Sequence, residues 1–185
     1  MTAPVVSSKI RSMHPTHDTP LPRQVISGGQ TGADRAGLDW AIARGLDHGG
    51  WCPRGRLASD GVIPEGYKLI ETESEGYRQR TKRNVQDSDA TVLFNIGVLD
   101  GGTLQTLRFT QKLQKPCLVI QLDMLDPVSL AAQLTAWLSS VKPEVLTVAG
   151  PREEKRPGVY LAALKVLECS ESAMSVRCAP SQSHA

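Results

Sequence analysis

The chain has 185 residues, a length that suits one domain with a sizeable hydrophobic core. Its 21 basic and 19 acidic residues give a formal net charge of +2, so the sequence provides no broad basic surface for nucleic acid. No apolar stretch approaches the ~20 residues that a membrane-spanning helix needs. These properties exclude a nucleic-acid partner and a membrane partner from the leading hypotheses.

The cysteines and the two termini limit the class of protein further. The four cysteines have neither CxxC spacing nor a histidine pair at zinc spacing, so we expect no disulfide framework and no structural metal. Residues 1–23 hold four prolines and lack the apolar centre of a secretion signal, and residues 170–185 are small and polar. We expect a cytoplasmic protein with a flexible N-terminal tail (1–23), one ligand-binding domain (24–169) and a flexible C-terminal tail (170–185).

The first predicted elements form a strand, a helix and a second strand. The run QVIS (24–27) is typical of a short strand, and Gly45 offers a stop for the helix that follows. GGWC (49–52) is a second predicted strand, whereas the many glycines and prolines of residues 53–72 predict a long loop. The apolar residues at one-face spacing on the helix are Ala33, Ala36, Trp40 and Ala41.

The second half of the domain continues this alternation. Tyr77, Thr81 and Val85 recur every four residues, which predicts a helix. Its charged run 77–84 is either a basic face near the pocket or a solvated surface, and the second interpretation is preferred. ATVLFNI (90–96) predicts a central strand covered on both faces. Strand–helix alternation predicts an α/β fold with a mostly parallel sheet of about five strands. The remaining elements are a helix at 103–114, a strand at 117–122, a helix carrying Leu130, Leu134, Trp137 and Leu138, a strand at 145–149, and a helix carrying Val159, Ala163, Val166 and Leu167.

Four predicted strands run into unusual loops. Their sequences are GGQTGAD (28–34), PRGR (53–56), GVLDGGT (97–103) and GPRE (150–153). The carboxyl ends of parallel strands meet at one sheet edge, where open α/β sheets bind ligands. We therefore expect the four loops to form one site.

The first loop has the chemistry of an anion site. Gly28 and Gly29 allow a close approach that a side chain would block, and the next helix presents free N–H groups, which favour a phosphate. Thr31 adds a hydroxyl donor. Asp34 either caps the helix or accepts bonds from a ligand, and its charge would repel a bare phosphate.

The other loops repeat or complement this chemistry. Gly101, Gly102 and Thr103 again join a strand to a helix, which predicts a second anionic or polar group. The arginines of the remaining loops, Arg54, Arg56 and Arg152, match phosphate or carboxylate oxygens and also stack on flat rings. Trp51 is either a stacking platform or a packing residue. The loops match neither the dinucleotide fingerprint nor the P-loop.

Taken in order, these motifs resemble a known family. GGQTGADRAGLDWA, GWCPRGRLASDGVIPEGY, RTKRNVQDSDATVLF, the GGT turn and VAGPRE are similar to the molybdenum cofactor carrier family, over about residues 24–168. That family is a Rossmann-like branch of the superfamily that includes the Lonely Guy phosphoribohydrolases. The resemblance implies a three-layer α/β/α fold, a homo-oligomer (dimer or tetramer), and molybdoenzymes or cofactor-synthesis enzymes as partners.

The ligand that the resemblance implies is the molybdenum cofactor (molybdopterin), a pterin dithiolene with a terminal phosphate. The protein would bind, protect and transfer it, with Asp34 or Asn95 contacting pterin amino groups. The predicted cofactor-binding residues are Gly28, Gly29, Gln30, Thr31, Gly32, Ala33, Asp34, Arg54, Asn95, Gly101, Gly102, Thr103, Gly150 and Arg152. A carrier needs no nucleophile or general base, and we predict no catalytic residues.

The alternative is a protein that binds nucleoside monophosphates or a phosphoribohydrolase-like enzyme that hydrolyses them. The phosphoribohydrolase motif is PGGxGTxxE, which ends in a catalytic glutamate. Here the turn reads DGGTLQTL, with Thr106 where the acid would fall if Thr103 is aligned. This departure weakens the enzyme hypothesis, although another acid such as Asp34 or Glu153 would serve in its place.

Overall fold

The computed structural model describes residues 21–177, with side chains described through residue 170. Strands and helices alternate along this part of the chain. The strands are β1 (Gln24–Ile26), β2 (Asp47–Cys52), β3 (Leu57–Ala58), β4 (Gly61–Val62), β5 (Leu69–Glu71), β6 (Ala90–Asn95), β7 (Cys117–Gln121) and β8 (Val145–Ala149). The helices are α1 (Ala33–Ala43), α2 (Tyr77–Asp87), α3 (Gly101–Lys112), α4 (Pro127–Val141) and α5 (Val159–Arg177).

The main sheet has six strands in the order β5-β2-β1-β8-β6-β7, and every neighbouring pair is parallel. Helices α1, α4 and α5 pack on one face, and α2 and α3 pack on the other. This arrangement confirms the predicted Rossmann-like three-layer fold. After β1 the chain continues to its neighbour β2 on one side of the sheet, and after β6 it continues to β7 on the other side. Ligands of open α/β sheets bind where the strand order reverses in this way.

Apolar spacing identified the buried helix faces correctly. The apolar residues predicted on one face of α1 and of α5 are all buried, and all six residues of β6 are buried as its apolar run predicts. Gly45 adopts a φ of 65°, and its N–H donates to the carbonyl of Ile42, so it ends α1 as expected. Sheet and helices therefore enclose one hydrophobic core.

Residues 53–72 differ from the irregular loop that the sequence predicts. Strands β3 and β4 pair as a small antiparallel hairpin, and β5 joins the main sheet beside β2 as a sixth strand. The cause is Arg56, whose buried guanidinium donates to the carbonyls of Ile63, Pro64, Tyr67 and Leu69. These bonds satisfy backbone acceptors that a glycine- and proline-rich segment would otherwise leave unpaired. Arg56 thus stabilises the fold of this segment rather than contacting a ligand.

The predicted tails, residues 1–23 and 170–185, lie mostly outside the described residues. Helix α5 continues to Arg177, past the predicted domain end at residue 169. The domain boundaries remain predictions. Between residues 21 and 177, no helix has the length and apolar character to cross a membrane.

Candidate functional site

A cleft of about 320 Å³ lies at the carboxyl ends of β1, β8 and β6. Its volume is at the lower end of the range typical of small-molecule sites, ~300–1,000 Å³. Three loops that are distant in sequence converge on it. The predicted site residues that line the cleft are Gln30, Asp34, Gly102, Thr103, Gly150 and Arg152.

The first glycine turn, residues 28–34, packs tightly against other parts of the protein. A Cβ on Gly28 would overlap the guanidinium of Arg80, and a Cβ on Gly29 would overlap the side chain of Leu69. Gly29 also has a φ of 71°, which favours glycine. The doublet therefore allows close packing within the protein, and it offers less room to a phosphate than its sequence suggested.

Gly32 and the start of α1 are also occupied. Gly32 has a φ of 82°, and an added Cβ would lie 2.5 Å from the carbonyl oxygen of Pro151. The first helical N–H, from Ala33, donates to that same oxygen at 3.4 Å. One amide of the predicted anion site is thus already bonded within the protein.

Asp34 resolves an ambiguity that the sequence left open. The N-cap of α1 is Gly32, so Asp34 is not the cap. Its buried carboxylate accepts from Arg80 Nη1 at 2.9 Å and from the N–H of Gln30 at 3.4 Å. Burial raises the pKa of Asp34, and the Arg80 charge opposes that effect. Asp34 therefore holds Arg80 and Gln30 in the wall of the cleft.

Helix α2 contributes residues that the sequence analysis missed. Tyr77, Arg80 and Thr81 line the cleft, so the interpretation of the run 77–84 as a solvated surface is wrong for this face. The guanidinium carbon of Arg152 lies 4.5 Å from the Tyr77 ring centroid, and that of Arg80 lies 5.8 Å from it. The sequence did hold a signal, because Arg80 and Thr81 lie three and four residues after Tyr77 and therefore share its helix face.

The second glycine turn opens towards the cleft. A Cβ on Gly102 would meet nothing within 4 Å, whereas one on Gly101 would lie 2.9 Å from Lys155 Nζ. Gly102 and Thr103 belong to the first turn of α3, where backbone N–H groups lack partners within the helix and the dipole is positive. Lys155 Nζ donates to Asp100 at 2.6 Å and holds the pKa of that carboxyl below its usual range. This end of the cleft combines space with positive charge.

The third loop connects the two turns. A Cβ on Gly150 would lie 2.5 Å from the carbonyl oxygen of Phe94, so only glycine fits between β6 and α1 at this point. Further along the loop, Glu154 accepts from the hydroxyls of Thr31 and Ser59, each at 2.9 Å. These bonds tie the loop after β8 to the first turn and to the β3–β4 hairpin.

Two predicted site residues lie away from the cleft. Arg54 is 62% exposed and pairs with Glu75 at 2.7 Å. Asn95 is buried at the end of β6, and its Nδ2 donates to the Gly97 carbonyl and to Gln121 Oε1, each at 2.8 Å. Both side chains are thus engaged elsewhere.

Other predicted contacts are also directed elsewhere. Thr31 and Gly32 line a separate, more open cleft of about 400 Å³ on the other side of the α1 start. Trp51 Nε1 donates to Asp87 at 2.6 Å, and its ring stacks against Arg83, whose guanidinium carbon lies 4.4 Å from the ring centroid. Trp51 therefore stacks on an arginine of its own chain.

Gln30 contributes an unusual feature to the cleft wall. Its Oε1 accepts from the N–H of Ser59 at 2.8 Å and from the N–H of Thr31 at 3.2 Å. Among the described residues, neither Gln30 Nε2 nor Arg80 Nε has a hydrogen-bond partner, although both atoms are buried. Two residues that line the cleft therefore each carry a buried donor with no acceptor in the described part of the chain.

A metal is not suggested by the side chains that the structure describes. No group of three histidine, cysteine, aspartate or glutamate residues between residues 21 and 170 is arranged to hold a metal ion. The polar groups of the cleft are donors, with two carboxylates held in internal bonds. This arrangement suits an organic ligand with several acceptor atoms.

Comparisons with known proteins agree with this fold. Residues 25–170 match the model of the "Circularly permutated YpsA SLOG family". A crystal structure from Syntrophus aciditrophicus SB, described as "Putative molybdenum carrier protein", is 44% identical, with a TM-score of 0.79. The alignment covers 80% of this chain and 94% of that one. No curated protein sequence matches the chain.

Proposed function

This chain belongs to the circularly permutated YpsA SLOG family, and we propose that it binds, protects and transfers the molybdenum cofactor in the cleft described above. The name of the Syntrophus relative supports this ligand. The observation that carries the proposal is the division of one cleft into two chemically different ends. An open, positively charged helix N-terminus lies at one end, and a wall with two unpartnered donors lies at the other.

The terminal phosphate would bind at the start of α3. Backbone N–H groups and the helix dipole favour an anion at Gly102 and Thr103, where no side chain fills the space beside Gly102. Lys155 lies against this turn, and Arg152 lines the same cleft. A bound phosphate would compete with Asp100 for the Lys155 ammonium group.

The pterin ring would bind towards Tyr77, Arg80 and Gln30. Tyrosine rings and guanidinium planes stack on flat heterocycles. The unpartnered Nε2 of Gln30 and Nε of Arg80 need acceptors, which a pterin supplies through its carbonyl oxygen and ring nitrogens. These observations support the fit of the cleft to a phosphate-bearing pterin, and the assignment of each end to a part of the ligand is part of the proposal.

The chemistry of the lining residues favours a carrier over a hydrolase. Thr106 lines the cleft where the related hydrolases would have a catalytic acid, and its hydroxyl donates to the Gly102 carbonyl at 2.9 Å. The carboxylates that line the cleft are Asp34, paired with Arg80, and Glu154, which accepts from two hydroxyls. Both are engaged in holding the cleft together.

The test is an anaerobic titration of the purified chain with the molybdenum cofactor and, in parallel, with AMP and GMP, following binding and base release. We expect saturable cofactor binding, protection of the cofactor from oxidation, and no base release. Lys155→Ala should weaken cofactor binding about tenfold, whereas Lys112→Ala, at the exposed far end of α3, should not. Turnover of a monophosphate would establish the alternative, a phosphoribohydrolase-like enzyme. Absence of cofactor binding would refute the carrier.

Three further expectations belong to this proposal. We propose a homo-oligomer, dimer or tetramer, that meets molybdoenzymes or cofactor-synthesis enzymes in the cytoplasm. Sedimentation of the purified chain tests the first expectation. Transfer of bound cofactor to an apo-molybdoenzyme in a mixed anaerobic reaction tests the second.

A further inference from the structure

The orientation of the Gln30 amide is fixed by its surroundings. A backbone N–H can only donate, so the atom that accepts from the N–H groups of Ser59 and Thr31 must be the amide oxygen. The Ser59 hydroxyl lies 3.2 Å from the same oxygen. The Nε2 group therefore remains as a donor in the cleft wall, on a residue that is only 4% exposed.

Arg80 supplies a second donor of the same kind. Its Nη1 is bonded to Asp34, which also accepts from the N–H of Gln30. The Asp34 carboxylate thus binds the Arg80 side chain and the Gln30 backbone, and each of these two residues retains one buried side-chain donor without a partner among the described residues. Native proteins rarely leave such donors unpaired, because an unmade hydrogen bond in the interior is costly.

The acceptor for these donors should be neutral. The Asp34 carboxylate is paired with the Arg80 guanidinium at 2.9 Å, so the pair carries no net charge and gives this wall no attraction for an anion over a neutral acceptor. The Tyr77 ring lines the same cleft with the Arg152 guanidinium 4.5 Å from its centroid, and ring and guanidinium planes both suit stacking on a flat heterocycle. A neutral acceptor on a flat ring is most simply a ring carbonyl oxygen, which accepts two hydrogen bonds.

We infer that Gln30 and Arg80 select fused rings that carry a carbonyl oxygen, as pterin and guanine do, over rings with an amino group at that position, as in adenine. The inference rests on the proposed function, since it concerns the ring end of the proposed ligand. An amino group would place hydrogen atoms against two donors and leave both unpaired. Among nucleotides, those with guanine or hypoxanthine should therefore compete with the cofactor, and AMP should not.

The test compares ligands that carry a carbonyl or an amino group at this position, with the adjacent ring nitrogen changing from N–H to an acceptor. Calorimetric titrations of the full chain would use GMP against 2,6-diaminopurine riboside monophosphate, IMP against AMP, and a pterin monophosphate against its 2,4-diaminopteridine counterpart. We expect each carbonyl-bearing ligand to bind about tenfold or more tightly than its amino partner. The pterin and purine pairs distinguish which ring system the cleft prefers.

Gln30→Glu is the matching variant. Its carboxylate still accepts from Ser59 and Thr31 but has no donor, so the preference for the carbonyl should fall below about threefold or reverse. Gln133→Glu introduces the same charge on the exposed face of α4 and should keep the preference. Thermal melts check that both variants fold, and if Gln30→Glu does not fold, the wild-type affinity ratios decide alone.

The outcomes separate this inference from the proposed function. If wild-type protein binds the molybdenum cofactor but binds both members of each pair equally, or binds none of them, the inference is wrong and the carrier proposal stands. An unchanged preference in Gln30→Glu would also contradict it. If the protein binds carbonyl-bearing rings selectively but does not bind the cofactor, the ring selectivity stands and the proposed carrier function is wrong.

Discussion

Two glycine doublets in this chain lie at or just before the start of a helix beside the cleft, yet their surroundings differ. Gly28–Gly29, before α1, lies against Arg80 and Leu69, and neither position has space for a Cβ. Gly101 and Gly102 are the first two residues of α3; a Cβ on Gly101 would lie 2.9 Å from Lys155 Nζ, and among the described residues nothing covers the side-chain face of Gly102. Similar sequence patterns thus occupy a packed environment in one case and an accessible one in the other.

The difference shows that a glycine turn at a helix start has two separate uses. In the first turn, glycine allows chain segments to approach each other, since α1 must fit beside the loop after β8 and the segment 53–72. In the second, a small residue leaves helix N–H groups accessible to a ligand. The first turn is therefore structural, and our proposal places the phosphate at the second.

The largest expected effect tests whether the first turn, which includes Gly32, is more tightly packed than the second. Gly32→Ala forces a side chain into a φ of 82° and against the Pro151 carbonyl, so it should lower the free energy of unfolding by about 2–4 kcal/mol. Gly102→Ala, in open space, should change it by less than about 1 kcal/mol. Urea unfolding of both variants measures this. Equal losses would mean that the two turns do not differ.

The next effect tests the ligand half. Gly102→Asp introduces a carboxylate where the phosphate is proposed to bind, while favourable charge at a helix start should preserve stability. Affinity for the phosphorylated ligand should fall about 10- to 100-fold, because like charges would meet. Affinity for a phosphate-free pterin serves as the control and should change less than threefold, about 0.6 kcal/mol. A similar loss for both ligands would argue that the substitution distorts the cleft.

A smaller effect separates two arginines that the sequence treated alike. Arg152 lines the cleft, whereas Arg54 pairs with Glu75 at the surface. Arg152→Ala should weaken cofactor binding about 5- to 10-fold, and Arg54→Ala should change it less than twofold. Fluorescence titration with the cofactor measures both. A larger loss of cofactor affinity in Arg54→Ala than in Arg152→Ala would show that Arg54 belongs to the binding site, as the sequence predicted.

The smallest effect concerns Asp100, which would compete with the ligand phosphate for the Lys155 ammonium group. Asp100→Asn should release Lys155 and tighten binding of the phosphorylated ligand by about two- to threefold. The Lys155 hydrogen bond holds the pKa of Asp100 below its usual range, so Asp100 stays ionised above about pH 5. The ratio of mutant to wild-type affinity should therefore be the same at pH 5.5 and pH 8. A ratio that falls towards pH 5.5 would contradict this ionisation state.

Much of the fold could be predicted because its signals are local. The apolar run of β6 and the one-face spacing of α1 and α5 identified buried elements, and alternation of strands and helices identified the parallel sheet. Strand β5 escaped prediction because Leu69–Glu71 is short and follows many glycines and prolines. Its formation depends on Arg56, whose four carbonyl partners become close only after folding.

The site could be predicted in part for the same reason. Loops that follow parallel strands meet, and the structure brings Gln30, Gly102 and Arg152 together at one sheet edge; their binding of a ligand remains a prediction. Arg80 was missed because it belongs to a charged run whose composition indicates a solvated helix surface, and this outweighed its three-residue spacing from Tyr77. Its burial depends on Asp34, which is 46 residues away in sequence. Asn95 was misjudged because its bonds to Gly97 and Gln121 were not evident from residue type.

The most direct test of the proposed phosphate position is an anaerobic titration of the isotope-labelled chain with the molybdenum cofactor, following backbone amide resonances. If the phosphate binds at the start of α3, the largest shifts occur at Gly102 and Thr103, with much smaller changes at Gly28 and Gly29. Large shifts confined to the first turn, or no shifts at the start of α3 at saturating cofactor, would contradict it.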